Sequence, residues 1–330
     1  MDRRTFTATL AAGLAFPALA APSPAPRRNE LPARLKKGDT VGLISPASYV
    51  DDDGLERAIK QIEGLGLTVK PGRYLRSERG FLAGPDRERL DDLHAMFADR
   101  DVRAVWAVRG GYGSARLLPE LNYDLIRRNP KILIGYSDIT ALLNAITHRT
   151  GLMTYHGPVG STKFTEYTER SLRHAIMDGE QWSRIELPDD ATGQYILHPG
   201  QATGTLWGGN LSLLAAMVGT GVMPDLSGKL LFIEEVGEKP YRVDRMITQL
   251  RQAWNLQNAA GIVLGQFHDC EPDAGDRSLT LRETLTDRLG DLGIPVAYGL
   301  PIGHIKDMCT LPVGAEMTFN ALDFYLDPRV

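Results

Sequence analysis

Residues 132–148 read ILIGYSDITALLNAITH, a short apolar run followed at once by apolar residues at helical spacing. The run at 132–134 predicts a strand, and residues 139–148 predict a helix. Two similar units precede it: an apolar run at 41–44 before a helical stretch at 54–64, and a strand at 68–70 before a helix at 86–99. Strands at 104–108 and 152–155 extend the pattern. Strands that alternate with helices indicate a parallel sheet with helices on both faces.

The second half of the chain has a different pattern. Strand-like runs occur at 229–234, 261–264, 296–298 and 316–319, and helical runs at 211–218, 241–254 and 279–289. Between residues 165 and 200 the hydrophobic periodicity weakens, which favours a crossing between domains. We therefore predict an α/β protein with an N-terminal domain at 35–165, an inter-domain connection at 166–200, and a smaller mixed α/β, β-rich C-terminal domain at 201–330.

The composition excludes several classes of protein. The 330 residues include 37 Lys+Arg and 41 Asp+Glu, a net charge of −4 with neutral histidines. A nucleic-acid partner is not expected, because such binding needs a basic face. The two cysteines, Cys270 and Cys309, are too few for a disulfide scaffold or a multi-cysteine metal site. Whether they pair with each other is left open by the sequence.

The first 21 residues, MDRRTFTATLAAGLAFPALAA, have the features of an export signal. Arg3 and Arg4 precede an apolar stretch at 8–15, and Ala18-Leu19-Ala20 offers a small-x-small cleavage site. The paired arginines indicate a twin-arginine signal, and the alternative is a frayed N-terminal helix. We expect a periplasmic protein with no permanent membrane span, since no segment is long and apolar enough for one.

Ser137 is the first candidate catalytic residue. It lies where the strand at 132–134 turns into the following helix, so its hydroxyl is exposed close to the N-terminal amides of that helix. These amides can stabilise an oxyanion, as in the nucleophile elbow of hydrolases. The alternative is a helix cap, because Ser and Asp are favoured at that position.

A nucleophilic serine needs a general base and a carboxylate. His304 follows the strand at 296–298, but His156 and His268 also follow apolar runs, so position alone does not select one histidine. Glu234 and Glu235 end the apolar run at 229–233, where they could orient a histidine or be solvated.

Two glycine-rich stretches complete the set of candidates. The segment RGGYG at 109–113 is a weak match to a phosphate-binding turn, because Arg116 occupies the third glycine position. Its glycines could instead let backbone amides approach a substrate. In TLWGGN at 205–210, Trp207 and Asn210 are candidate substrate contacts, with the protein core as the alternative for Trp207.

The ordered motifs RGGYG at 109–113, GYSD at 135–138, GTLWGGN at 204–210, LFIEE at 231–235 and GLPIGH at 299–304 resemble those of the LD-carboxypeptidases, a family of serine peptidases. The match extends from residue 40 to residue 319. The resemblance implies a flavodoxin-like N-terminal domain, a site between the two domains, and a triad of Ser137, Glu234 and His304. It also implies an oxyanion hole formed by the amides of Asp138 and of Gly110 or Gly111.

The resemblance further implies the reaction. These enzymes hydrolyse the amide between the L-centre of a diamino acid and the terminal D-alanine of murein tetrapeptides, during cell-wall peptidoglycan turnover and recycling. They need no metal or other cofactor, and the family suggests a homodimer. Arg109 and Arg116 are both near enough in sequence to bind the D-alanine carboxylate, and neither is selected. The third residue of the peptide, meso-diaminopimelate or lysine, is also left open.

Other functions are compatible with parts of the sequence. Microcin-immunity hydrolases share the triad and cleave aminoacyl-nucleotide amides, but their substrates are cytoplasmic, whereas an export signal is expected here. A non-catalytic periplasmic muropeptide-binding protein would keep the cleft and not need the triad. The presence of all three triad residues favours an enzyme.

Overall fold

The computed structural model describes residues 29–177 and 182–329, and the predicted export signal lies outside these residues. None of the helices in the described ranges has the length and apolar character needed to cross a bilayer. The N-terminal half contains β1 (Thr40–Ile44), α1 (Asp52–Gly64), β2 (Thr68–Pro71), α2 (Asp86–Ala98), β3 (Val102–Ala107), α3 (Tyr123–Arg128), β4 (Ile132–Gly135), α4 (Thr140–Thr150), β5 (Thr154–His156) and α5 (Glu166–Ile176). Short 3-10 helices lie at Ser114–Glu120 and Ser137–Ile139.

The C-terminal half contains β6 (Tyr195–His198), β7 (Gln201–Asn210), α6 (Leu211–Met217), β8 (Lys229–Val236), α7 (Pro240–Trp254), a 3-10 helix (Leu256–Asn258), β9 (Gly261–His268), α8 (Leu281–Leu289), β10 (Val296–Tyr298), β11 (Leu311–Val313), β12 (Glu316–Asn320) and β13 (Tyr325–Pro328).

The N-terminal sheet has the strand order β2-β1-β3-β4-β5-β11, in which all neighbours are parallel except β5 and β11. Every residue of β1 except Thr40 is buried, as expected for a strand covered on both faces. The chain places β2 on one side of β1 and β3 on the other. The strand order therefore reverses at β1, and ligands of such sheets bind at the carboxyl ends of the strands near this point.

The second sheet has the order β13-β12-β7-β8-β9-β10-β6. Strands β7 to β10 are parallel, and β6, β12 and β13 are antiparallel to their neighbours. The predicted α/β class is confirmed, with a parallel-rich first sheet and a mixed, β-rich second sheet.

The two halves are joined by more than the connecting chain. Strand β11 comes from the C-terminal half but pairs with β5 of the first sheet. Asn144 on α4 donates a hydrogen bond to the Gly208 carbonyl at 2.9 Å. Gly209 has a φ of 142°, and a Cβ added there would lie 2.4 Å from Oγ1 of Thr140. The glycines of the 205–210 motif thus let β7 approach α4 closely.

The region predicted as a connection, residues 166–200, contains helix α5 and strand β6. The buried residues Leu172 and Ile176 of α5 pack into the N-terminal core with Leu43. Strand β6 pairs with β10 at the edge of the second sheet. These two elements therefore belong to different halves of the molecule.

The two cysteines do not form the disulfide that the sequence left open. Cys270 and Cys309 are both buried and both free thiols. Burial raises the pKa of Cys270 to about 11 and also raises that of Cys309. Both thiols therefore stay protonated near neutral pH and behave as small core residues.

Candidate active site

Ser137 lies on a tight turn between β4 and α4. Its φ of 61° is in the left-handed region, which residues other than glycine rarely adopt. The N-cap of α4 is Ile139, without a side-chain hydrogen bond, so the Ser137 hydroxyl does not cap that helix. A Cβ added to Gly135 would lie 2.8 Å from Cγ2 of Ile139, so the turn requires glycine there. Such strain at a half-buried polar residue that lines a cleft is typical of functional sites.

His304 and Glu234 form a hydrogen-bonded pair. Nδ1 of His304 lies 2.8 Å from Oε2 of Glu234. The Glu234 side chain is completely buried at the end of β8, whereas that of His304 is 19% exposed. When the carboxylate accepts a hydrogen bond from Nδ1–H, the lone pair of the imidazole is on Nε2, which can accept a proton from another group.

Glycine at position 303 makes this pair possible. Gly303 has a φ of 112°, and a Cβ there would lie 2.8 Å from both Cβ and Oε2 of Glu234. The amide of Gln266 on β9 donates to the Ile302 carbonyl at 2.9 Å, which holds the loop against the second sheet. The turn before His304 therefore passes directly over the Glu234 carboxylate.

Glu235 has a different role from Glu234. Its carboxylate accepts hydrogen bonds from the Ser212 amide at 2.8 Å, from the Ser212 hydroxyl at 2.7 Å and from Nδ2 of Asn210 at 2.9 Å. Burial raises the pKa of Glu235, and these hydrogen bonds oppose that effect. Glu235 thus fixes the start of α6, and Glu234 alone contacts the histidine.

A single cleft brings Ser137, His304 and the glycine-rich loop at 109–111 together. Its lining consists of Arg109, Gly110, Gly111, Tyr136, Ser137, Val159, Ser161, Thr162 and His304. It lies at the carboxyl ends of β3 and β4. Ser137 and His304 face this cleft without a direct hydrogen bond between them, and such contacts often shorten only when substrate binds.

Two backbone amides lie beside the serine. A Cβ on Gly110 would be 3.2 Å from Oγ of Ser137, whereas one on Gly111 would contact Ser48 instead. The side chain of Asp138 accepts a hydrogen bond from the Ser114 amide at 2.7 Å, which fixes the residue after the serine. Within the described residues, the amides of Gly110 and Asp138 have no acceptor. They are thus available for an oxygen that carries negative charge.

The structure does not bring Trp207 and Asn210 to this cleft. Trp207 is 3% exposed and packs in the core of the second sheet. Asn210 is buried, caps α6 by accepting from the Leu213 amide, and donates to Glu235. Of the other two candidate histidines, His156 and His268, the second lies exposed beside Asp269 at the end of β9.

His156 is fully buried under the site. Its ring contacts that of Phe232 at a centroid distance of 5.0 Å. Burial lowers its pKa to about 4, so the side chain is neutral near pH 7. Neither ring nitrogen has a hydrogen-bond partner among the described residues. With no exposed surface, His156 cannot accept a proton from a substrate-facing serine.

Tyr136 is a site residue that the sequence reasoning missed. Its ring centroid lies 4.8 Å from that of His304, and its side chain lines the cleft. Burial raises the pKa of the Tyr136 hydroxyl. The available signal was its place directly before the candidate nucleophile, within the motif GYSD.

The fold and the site residues are those of a two-domain α/β serine hydrolase. Comparison with known proteins identifies the family. Residues 41–157 match the LD-carboxypeptidase N-terminal domain, and residues 203–319 match the LD-carboxypeptidase C-terminal domain. The chain belongs to the LD-carboxypeptidase family, peptidase family S66, and is thus a hydrolase.

Individual relatives agree with this assignment. A probable murein peptide carboxypeptidase from Bacillus subtilis is 42% identical over 89% of this chain and 93% of its own length. The crystal structure of muramoyltetrapeptide carboxypeptidase from Oxalobacter formigenes has a TM-score of 0.76 and 32% identity, and the match covers 87% of this chain and 97% of that one. The microcin C7 self-immunity protein MccF has a TM-score of 0.83 at 26% identity, over 91% of this chain and 98% of that one.

Proposed function

We propose that this chain is a serine LD-carboxypeptidase that removes the terminal D-alanine from murein tetrapeptides. The observation that carries the proposal is the Glu234–His304 hydrogen bond of 2.8 Å, at a cleft that Ser137 also lines. A carboxylate, an imidazole and a hydroxyl in this relation are the components of acyl transfer through a covalent intermediate.

In the proposed mechanism Ser137 Oγ attacks the carbonyl carbon of the diamino acid residue, and Nε2 of His304 takes the hydroxyl proton. Buried Glu234 holds the imidazole in the required tautomer and stabilises the imidazolium that forms. The amides of Gly110 and Asp138 donate to the oxyanion of the tetrahedral intermediate. His304 then returns the proton to the nitrogen of the leaving D-alanine, and water hydrolyses the acyl-enzyme by the reverse sequence.

The substrate assignment rests on similarity. The probable murein peptide carboxypeptidase of Bacillus subtilis is 42% identical to this chain, whereas MccF is 30% identical in the same comparison. This similarity favours cell-wall peptides as the substrate, and the proposed twin-arginine export signal at residues 1–21 supports a periplasmic location. The diamino acid at the third position can be meso-diaminopimelate or lysine, and the experiment below includes both.

The test is mass spectrometry of the purified chain incubated with two murein tetrapeptides that end in D-alanine, one with meso-diaminopimelate and one with lysine at the third position. We expect the native protein to release one alanine and the Ser137→Ala variant to release none while it keeps the native circular dichroism spectrum. A tetrapeptide that ends in L-alanine is the matched control for stereochemistry. Turnover by Ser137→Ala would refute the mechanism.

A parallel incubation with an aminoacyl-nucleotide amide tests the activity suggested by the MccF relatives. If the chain hydrolyses that compound and not the tetrapeptides, its substrate is an aminoacyl-nucleotide amide and not a murein peptide. Binding of tetrapeptide without hydrolysis would indicate the muropeptide-binding alternative.

A further inference from the structure

We propose that Arg109 binds the terminal carboxylate of the peptide and so restricts the enzyme to chain ends. This inference rests on the proposed function and names the group that makes the enzyme a carboxypeptidase. An exopeptidase must distinguish a free carboxylate from the amide of a longer chain. A guanidinium does so well, because it donates two parallel charge-assisted hydrogen bonds to a carboxylate.

The two arginines that flank the glycine-rich loop have different partners. Arg116 donates to both carboxylate oxygens of Asp86, at distances of 2.8 to 3.1 Å, and does not line the cleft. Arg109 lines the cleft, and its Nη1 donates to the carbonyl of Tyr49 at 2.9 Å. Within the described residues Arg109 has no carboxylate partner, so most of its five N–H donors remain available. The structure therefore selects Arg109 from this pair.

The charge of the cleft supports the same choice. Among the lysines and arginines of the described residues, Arg109 alone lines the cleft, and the lining contains no aspartate or glutamate side chain. An anionic group that enters the cleft therefore meets one positive charge and no negative one. The contact with the Tyr49 carbonyl ties the guanidinium to the neighbouring loop after β1. The charge is thus held in place before substrate binds.

The position along the chain also fits a one-residue leaving group. Arg109 precedes Gly110, and a Cβ on Gly110 would lie 3.2 Å from the Ser137 hydroxyl. The carboxylate of D-alanine is separated from the scissile nitrogen by a single Cα. A cation for it must therefore lie within about one residue length, roughly 3.5 Å of extended chain, beyond the leaving nitrogen. A side chain attached next to the proposed oxyanion donor can reach that distance.

The test compares two substrates, a murein tetrapeptide with a free terminal D-alanine carboxylate and the same peptide ending in D-alaninamide. We expect native enzyme to prefer the free acid. Arg109→Met should lower kcat/KM for the acid by roughly 10- to 100-fold, the effect of one or two hydrogen bonds to a charged group, and leave the amide nearly unchanged. Arg109→Lys should restore part of the preference, because it keeps the charge without the planar fork.

Arg116→Met is the matched control, since it removes an exposed arginine from the same loop region outside the cleft. It should keep the native ratio between acid and amide. An unchanged ratio in Arg109→Met, or an equal loss on both substrates, overturns the role of Arg109 while the proposed function stands. Native enzyme that releases D-alanine from neither substrate refutes the proposed function itself.

Discussion

The substitution Gly303→Ala should damage catalysis through a single methyl group. Gly303 has a φ of 112°, where a side chain costs about 1–2 kcal/mol of stability. The new Cβ would also lie 2.8 Å from Oε2 of Glu234, which is the atom that accepts the His304 Nδ1 hydrogen bond. Either the carboxylate or the loop must move, and the histidine loses its orientation. We expect kcat/KM for tetrapeptide hydrolysis to fall by at least ~100-fold, the usual cost of a displacement of about 1 Å.

The upper limit is the loss of about 10⁴-fold seen when a triad histidine loses its orienting carboxylate. Gly299→Ala is the matched control, because Gly299 lies in the same loop with a φ of 107° and its added Cβ would contact Gln194 instead of Glu234. Both variants should lose similar stability in urea unfolding, while only Gly303→Ala loses turnover per folded molecule. Equal kcat/KM values for the two variants would refute this account of the loop.

The adjacent glutamates should separate stability from catalysis. Glu235→Gln should lower the free energy of unfolding by about 1.5–3 kcal/mol, because it removes charge-assisted hydrogen bonds from Ser212, and should keep turnover per folded molecule. Glu234→Gln should instead lower turnover per folded molecule and change the free energy of unfolding less. Urea titrations and tetrapeptide assays on both variants check this, and a loss of turnover in Glu235→Gln without a loss of stability would contradict it. Buried His156 has a pKa of about 4 against 6.5 when unfolded, so it favours the folded state above pH 6.5 and loses this effect as the pH falls towards 4. Between pH 6.5 and pH 4 the free energy of unfolding of the native protein should thus fall by about 3 kcal/mol more than that of His156→Gln, as measured by urea titration. An equal fall in both proteins would contradict the burial argument.

Local patterns along the chain predicted most of the first sheet. Five strands of that sheet and three of its helices lie within a few residues of the expected ranges, because buried strands and amphipathic helices leave a regular spacing of apolar residues. Helix α5 was missed. Its buried positions, Leu172, Ala175 and Ile176, have helical spacing but lie among charged residues. Strand β7 was also missed, since the glycines that let it approach α4 have no strand signature.

Pairings between distant residues could not be read from spacing. Glu234 and His304 are 70 residues apart, and the choice between Glu234 and Glu235 came from the family resemblance. The contacts of Glu235 with Ser212 and Asn210 provide the physical reason for that choice. The choice between Arg109 and Arg116 likewise depends on their partners in the folded chain, the Tyr49 carbonyl for Arg109 and the Asp86 carboxylate for Arg116.

The site joins two sheets that each supply part of the chemistry. Ser137 and Gly110 follow strands of the first sheet, whereas Glu234 lies in β8 and His304 follows β10 of the second. The distance from nucleophile to base is therefore set by the contact between the two halves. This contact includes the pairing of β11 with β5, the hydrogen bond from Asn144 to the Gly208 carbonyl and the hydrogen bond from the Asn210 amide to Oγ1 of Thr140. Strand β11 follows His304 in the chain and pairs with β5 of the first sheet, so backbone hydrogen bonds help to hold the histidine loop beside the half that carries the nucleophile.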